Sequence, residues 1–218
     1  MVQRLILASL LLWGLSYAFG GPTGPEIFEG TDLPSVGAAP VAQSPATSDQ
    51  PTDLDERAVL SFLRSRHTGM SRLDEENVAR TIVRESRRYG LDPALVSAVI
   101  QVESGGYYLA VSHMSAMGLM QLLPATAEEL AVNLKLDWRG PDSLFDPVLN
   151  VQLGIAYIKQ LADRYGDVST ALAAYNWGPT RIDRRIRKGS GVPSIYSKRV
   201  MKAFNLASIR RQAPPARG

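Results

Sequence analysis

The chain of 218 residues contains no cysteine and two histidines, His67 and His113. Without cysteine it can form no disulfide, and its N-terminus cannot carry a lipid-modified cysteine. Zinc and iron–sulfur sites draw their ligands mainly from cysteine and histidine, so we predict no metal site and no cofactor. The sequence around His113 contains no nucleophile with an orienting group, so we interpret His113 as a loop histidine.

The sequence also lacks the motifs of several enzyme classes. It has no glycine-rich phosphate loop, no nucleophile elbow, no internal repeat and no convincing alternating strand pattern. Its apolar content of 45% and charged content of 21% are ordinary for a globular protein. Apolar residues recur at spacings of three and four, which predicts an all-α fold.

Acidic residues are almost missing from the C-terminal region. Residues 181–218 contain 11 lysines or arginines against one acid, Asp183, so this region carries +10; the whole chain carries +3 and the remainder therefore −7. Such a basic region indicates contact with a polyanion, and nucleic acid, an anionic membrane and an anionic cell-wall polymer all qualify. A solvated basic face is the alternative interpretation.

Residues 1–20 have the pattern of a secretory signal peptide. Arg4 provides the charged region, Leu5–Leu15 the apolar region, and Ala18 and Gly20 the small residues before a cleavage site. The apolar run has about half of the ~20 residues that a membrane-spanning helix needs, so we favour export over a membrane anchor. We therefore expect a periplasmic or extracellular protein of the cell envelope, without a nucleic-acid partner.

Composition divides the rest of the chain. Residues 21–53 are rich in Pro, Gly, Ser, Thr and Ala, cannot bury enough apolar surface to offset their ordering entropy, and are predicted to be a disordered linker. Residues 54–211 are predicted to form the helical domain, and 212–218 a basic disordered tail. Asp92-Pro93 and Asp146-Pro147 predict helix starts, and Gly90 and Gly166 predict helix ends. The other helices should pack around the 91–103 helix, which is apolar nearly all round.

Glu103 stands at the end of this apolar helix. Desolvation would hold its proton toward neutral pH, so we predict a general acid; a helix-end carboxylate in water is the alternative. Gln121 is the single polar side chain of the apolar patch at 117–123, and it is either a satisfied core group or a ligand donor. Met114, Met117 and Met120 have helical spacing, which favours core packing over a cleft wall.

Tyr175, Asn176 and Trp177 form another cluster at a predicted helix end. Their flat apolar faces and polar tips suit a sugar site, although Asn176 could instead be the cap that ends the helix.

Three motifs follow one another in a recognisable order: Glu103-Ser104-Gly105, Gly118-Leu119-Met120-Gln121 and Ala174-Tyr175-Asn176. They resemble the ES, GLMQ and AYN motifs of the family 1 lytic transglycosylases. The runs 116–127 and 144–147, the latter followed by Asn150 and Gly154, are also similar to the family, and the likeness covers about 73–203. The chain departs from the family pattern at Gly106–Leu109, Ser115 and Leu123.

This resemblance implies a goose-lysozyme-like α fold and cleavage of the β-1,4 bond between N-acetylmuramic acid and N-acetylglucosamine in peptidoglycan. It implies a catalytic glutamate at Glu103 and substrate-binding residues at Ser112, Met120, Gln121, Tyr175 and Asn176. Ser112 would assist at the acetamido group of the sugar, and Tyr175 would be the tyrosine near the glutamate. The expected partner is the peptidoglycan glycan strand, and we expect a monomer.

A single carboxylate lies inside the motifs, whereas an ordinary glycosidase uses two. One is enough if the C6 hydroxyl of muramic acid attacks C1, which gives a 1,6-anhydro product. A hydrolytic goose-type muramidase is the alternative, with Asp137, Asp142 or Asp183 as second carboxylate. A non-catalytic peptidoglycan-binding module and an accessory protein that contacts envelope or secretion-machine proteins are further alternatives.

Overall fold

The computed structural model describes residues 54–212, and the predicted signal peptide, the linker and residues 213–218 lie outside this range. The described residues form eight α-helices and one short 3-10 helix, Pro141–Phe145. The α-helices are α1 (Leu54–Arg64), α2 (Arg72–Tyr89), α3 (Pro93–Glu103), α4 (Pro124–Leu134), α5 (Pro147–Tyr165), α6 (Val168–Trp177), α7 (Pro179–Arg187) and α8 (Ile195–Gln212). Within this range there is no strand, which confirms the all-α prediction, and no helix is long and apolar enough to cross a membrane.

The predicted helix boundaries are set by local capping. The Asp92 carboxylate accepts a hydrogen bond from the Ala94 N–H at 2.8 Å, and Asp146 caps α5 in the same way. Gly90 has φ 67°, a left-handed conformation that costs glycine little, and it ends α2. α2 begins at Arg72, because the Ser71 hydroxyl accepts a hydrogen bond from the Asp74 N–H and caps the helix. The 3-10 helix was not predicted.

α3 is a buried helix, as its apolar sequence predicts. Its residues from Pro93 to Ile100 are all buried, and it packs against α1, α2 and α8. Burying one large aliphatic side chain contributes about 1.5–3 kcal/mol, so α3 is held in place mainly by apolar packing. Its last residue, Glu103, is partly buried and leads into an irregular segment at 104–123.

Asn150 of α5 anchors this irregular segment. Its fully buried side chain donates from Nδ2 to the carbonyl oxygens of Met117 (2.9 Å) and Leu144 (3.0 Å), and its Oδ1 accepts from the Met120 N–H at 2.8 Å. A Cβ at Gly118, which has φ +80°, would lie 2.1 Å from Nδ2 of Asn150. Glycine is therefore required there for the approach of the segment to α5.

Met120 fixes the same segment from the apolar side. Its side chain is fully buried over Gly154, where an added Cβ would lie 2.3 Å from the Met120 sulfur. Met117 is also buried and Met114 is 38% exposed, so the core interpretation holds for Met117 and Met120. These methionines lie in the irregular segment and not on a helix, so their spacing reflects turns tied by two isolated β-bridges, Val111 to Met117 and Met117 to Leu122.

Candidate active site

Glu103 and Tyr196 form the centre of the candidate site. Tyr196, in the first turn of α8, is buried, and its hydroxyl donates to Oε1 of Glu103 at 2.5 Å. Burial raises the pKa of Glu103 to about 7, and the hydrogen bond from Tyr196 and the positive charge of Arg199 offset that rise only in part. The carboxyl group can therefore both give and take a proton near neutral pH.

Sequence analysis did not identify Tyr196. The hydrogen bond to Glu103 joins positions 93 residues apart, so no local motif contains both residues. The available signal was the spacing of Tyr196, Val200 and Phe204, which marks the inward face of α8. A tyrosine on a buried face usually finds a hydrogen-bond partner for its hydroxyl, so Tyr196 could have been singled out.

Tyr175 lies near Glu103 but forms its hydrogen bond elsewhere. Its hydroxyl donates to the carbonyl oxygen of Met120 at 2.7 Å, and its ring lies against that of Tyr157 with centroids 5.2 Å apart. Burial and the charge of Glu103 raise the pKa of Tyr175 well above its usual value. Tyr175 is therefore near enough to Glu103 for the carboxylate charge to act on it, as the resemblance implies, while the tyrosine that donates a hydrogen bond to the carboxyl group is Tyr196.

Met120 is also placed differently from its predicted role as a cleft residue. Its side chain is fully buried against α5, so it packs in the core and offers no surface to a substrate in this conformation. Its backbone serves the site instead, because the N–H binds Asn150 and the carbonyl oxygen accepts from Tyr175. Asn176 is exposed and lies inside α6, which continues to Trp177, so Asn176 does not cap the helix.

Gln121 is half-buried in a left-handed conformation with φ 49°. Its Nε2 donates to the carbonyl oxygens of Ala110 and Gly118, both at 3.0 Å. Since these two bonds use both amide hydrogens, contact with a ligand would be made through Oε1. Left-handed backbone at a non-glycine residue costs about 1–2 kcal/mol, and the two hydrogen bonds help to hold it.

Two serines tie the irregular segment together. Oγ of Ser112 accepts from the Ala116 N–H at 3.0 Å, and the hydroxyl hydrogen is not used in that bond. Oγ of Ser104 donates to the carbonyl oxygen of Leu119 at 2.7 Å and accepts from the Gly106 N–H. Ser104, which sequence analysis treated only as part of a motif, thus links the end of α3 to the Gly118–Gln121 turn.

Two of the three carboxylates considered as second catalytic groups have other partners. Asp137 forms an ion pair with Arg139 at 2.6 Å, and Asp183 accepts from the Tyr165 hydroxyl at 2.8 Å. Asp142 is exposed at the start of the 3-10 helix. The side chains that shift the pKa of Glu103 are those of Tyr196 and Arg199, and neither is a carboxylate. Across residues 54–212 no three His, Asp or Glu side chains form a group that could hold a metal ion.

Comparison with known proteins gives a consistent result. The family model described as the transglycosylase SLT domain matches residues 80–194, just over half of the chain, and ends two residues before Tyr196. A transglycosylase of Enterobacteria phage PRD1 is 41% identical over 126 residues, which are 58% of this chain and 42% of the relative. Membrane-bound lytic murein transglycosylase C of Sodalis glossinidius is 33% identical over 131 residues, 56% of this chain and 34% of the relative.

Two solved structures share the fold. One is an inactive glutamate-to-glutamine mutant of lytic transglycosylase Slt from Pseudomonas aeruginosa, with 27% identity, a TM-score of 0.55 and coverage of 62% of this chain and 24% of that one. The other is the 70 kDa soluble lytic transglycosylase from Escherichia coli, with 19% identity, a TM-score of 0.57 and coverage of 74% and 30%. The lysozyme-like prediction of the fold is confirmed. The chain spans less than half the length of these relatives.

Proposed function

The chain belongs to the transglycosylase SLT domain family, and from this premise we propose that it is a peptidoglycan lytic transglycosylase. It cleaves the β-1,4 bond between N-acetylmuramic acid and N-acetylglucosamine and leaves a 1,6-anhydromuramic end. The observation that carries the proposal is the Glu103 carboxyl group, whose pKa of about 7 suits it to act first as an acid and then as a base.

In the first step, Glu103 donates its proton to the glycosidic oxygen and the C1–O bond breaks. The 2-acetamido group of the muramic residue, oriented by the hydroxyl of Ser112, stabilises the positive charge that develops at C1. In the second step, the Glu103 carboxylate takes the proton from the C6 hydroxyl, whose oxygen closes on C1. The proton returns to Glu103, no water is consumed, and one carboxylate serves both steps.

The other site residues have supporting roles in this proposal. Tyr196 holds one carboxyl oxygen of Glu103 and so directs the acid toward the bond it protonates. Gln121 presents Oε1 to the sugar while its amide nitrogen holds the loop. Tyr175 supports that loop through Met120, and the exposed Asn176 is the residue of its motif that a glycan can reach.

The names of the relatives support the substrate and the compartment. The Sodalis relative is named a membrane-bound lytic murein transglycosylase, and murein is peptidoglycan. We therefore propose glycan strands as the substrate and the periplasm or the outside of the cell envelope as the location, which the signal-peptide pattern of residues 1–20 also favours. A monomer is sufficient for the proposed chemistry, because every group used in it comes from one chain.

Digestion of purified sacculi with the full chain tests the proposal, with products identified by mass spectrometry. Muropeptides that end in 1,6-anhydromuramic acid, lighter by one water than hydrolytic products, are expected. Glu103→Gln should lower turnover by at least about 10³-fold, because it removes the acid and the base together. The matched control is Glu128→Gln, an exposed position on α4, which should leave turnover unchanged.

Other products would point to other functions. Reducing muramic ends would mean that water attacks C1, as in a goose-type muramidase, and would require a second carboxylate. Binding of sacculi without soluble products would identify a peptidoglycan-binding or accessory protein. Full activity in purified Glu103→Gln would contradict the assignment of the catalytic residue.

A further inference from the structure

The outward face of α8 has an unusual composition for a solvent-exposed helix. At 100° per residue, Ile195, Lys198, Arg199, Lys202 and Leu206 fall within an arc of about 100°. All five are exposed, and Ile195 and Leu206 are 78% and 53% exposed. The opposite face, with Tyr196 and Val200, is buried in the domain, so α8 cannot turn to hide its apolar outer residues.

The charge on this face is uniformly positive. α8 contains no acidic residue, and α7, which precedes it in the sequence, has exposed arginines at 184 and 187. The one acid of this region, Asp183, is already bound to Tyr165 and Arg164.

We propose that this face of α8 docks on the surface of a lipid bilayer that contains anionic lipids. Cations on a helix face that also exposes large aliphatic residues are the pattern of helices that lie in a membrane interface. Ile195 and Leu206 are 11 residues apart, or about 16 Å along the helix, with the three cations between them. On a flat bilayer surface the row of cations would meet the anionic headgroups, and the apolar side chains at its two ends would reach the hydrocarbon beneath them.

Other occupants explain these observations less well. A soluble polyanion would engage the cations but would gain nothing from Ile195 and Leu206. A second copy of the chain would place two positive faces against each other, which is unfavourable. The docked helix also holds Tyr196 against Glu103 on its inner side, so docking would keep the candidate site about one helix diameter, ~10 Å, from the lipid surface.

The test measures binding of the full chain to vesicles of phosphatidylcholine alone and of phosphatidylcholine with phosphatidylglycerol. Wild type should bind the anionic vesicles more tightly, and added salt should weaken that binding. In Lys198→Gln/Lys202→Gln the partition coefficient on anionic vesicles should fall about 30-fold, since each lysine near an anionic surface contributes about 1 kcal/mol and tenfold corresponds to about 1.4 kcal/mol. Arg199 is left in place because its charge acts on Glu103.

A second variant and a matched control separate lipid docking from simple charge attraction. Ile195→Ser/Leu206→Ser keeps every charge and should lower binding to anionic vesicles about tenfold. Arg72→Gln/Lys135→Gln removes two exposed cations elsewhere and should bind like wild type. Circular dichroism and thermal unfolding verify that each variant is folded. Because the test measures vesicle binding, its result does not depend on the proposed enzymatic activity.

Several outcomes would overturn the proposal. Equal binding of wild type and Lys198→Gln/Lys202→Gln, or equal binding to neutral and anionic vesicles, would show that another part of the chain makes the contact. Unchanged vesicle binding in Ile195→Ser/Leu206→Ser, together with displacement of wild type by polyphosphate, would identify a soluble polyanion as the occupant. Loss of a dimer in that variant, seen by sedimentation without lipid, would identify a second copy.

Discussion

The buried or partly buried carboxyl groups of two neighbouring helices, α2 and α3, have different charged surroundings. On α2, Glu75 and Glu85 are 8% and 6% exposed, and both are accompanied by arginines. Glu85 lies 2.8 Å from Arg84 and 3.6 Å from Arg88, and Glu75 lies 3.9 Å from Arg64. On α3, Glu103 is the more exposed of the three, yet it accepts its hydrogen bond from a neutral phenol.

The difference shows that burial does not by itself mark a functional carboxylate. A buried carboxylate with an adjacent guanidinium has its charge compensated and can serve structure alone. Desolvation is the largest influence on the pKa of Glu103. The charge of Arg199 does not cancel it, so the pKa is raised to about 7. The predictions below test whether the α2 and α3 carboxyl groups differ in this way.

The largest effect should be a gain of stability in Glu103→Gln at alkaline pH. The pKa of Glu103 is about 7 in the folded state and 4.5 ordinarily. Ionisation of Glu103 therefore does not lower the free energy of unfolding below pH 4.5, and it lowers it by the full amount above pH 7. The full amount is about 3 kcal/mol at 1.36 kcal/mol per pKa unit. Urea unfolding should therefore find the variant more stable than wild type at pH 8 and equally stable at pH 4.

Glu85→Gln should lower the free energy of unfolding, whereas Glu103→Gln should raise it. The substitution leaves Arg84 and Arg88 without their carboxylate, but both arginines are largely exposed and screened by water. We expect a loss of about 1–2 kcal/mol in the free energy of unfolding at pH 7. Activity per folded molecule should not change. A stabilised Glu85→Gln would contradict the distinction between the two helices.

Tyr196→Phe should alter the pH dependence of the reaction. The lost hydrogen bond lowers the pKa of Glu103 in wild type, so its removal should move the alkaline limb of the kcat profile to higher pH. A loss of one hydrogen bond to a charged group also predicts a drop of kcat of about tenfold at the optimum. Tyr175→Phe is the control, because its hydroxyl binds the Met120 carbonyl oxygen; its alkaline limb should stay in place.

The smallest effect should come from Thr68→Val. The Thr68 hydroxyl donates to Oε1 of Glu75 at 2.6 Å inside the domain, so its removal should cost about 1 kcal/mol of stability. Thermal unfolding measures this cost, and the alkaline limb of the kcat profile should not move. A shift of that limb would mean that the α2 carboxyl groups are coupled to the active site.

Much of the fold could be predicted because helix boundaries depend on residues close in sequence. Asp92, Asp146, Gly90 and Gly166 set their helix ends through bonds within a few positions, and the structure confirms all four. Glu103 was found for the same reason, since its apolar helix is a local pattern. The motif series supplied the rest of the predicted site, whose catalytic and binding roles remain predictions.

The remaining features depend on contacts between distant parts of the chain. Tyr196 reaches Glu103 across 93 positions, and no local pattern contains that contact. The motif containing Met120 could not reveal that its side chain is buried over Gly154 while its backbone serves the site. The bonds from Asn150 to Met117 and Met120 likewise cross about 30 positions, and they decide where the loop lies.

The contact between Gly154 and Met120 has a consequence for protein engineering. Replacing glycine by alanine inside a helix ordinarily gains about 1 kcal/mol, so a propensity scale would choose Gly154 as a site for thermostabilisation. In α5 the space of the new methyl group is already filled by the Met120 sulfur, 2.3 Å from where the Cβ would stand. The substitution would force the buried Met120 side chain, next in the chain to Gln121, to move, and a library designed to stabilise the helix should leave this glycine unchanged.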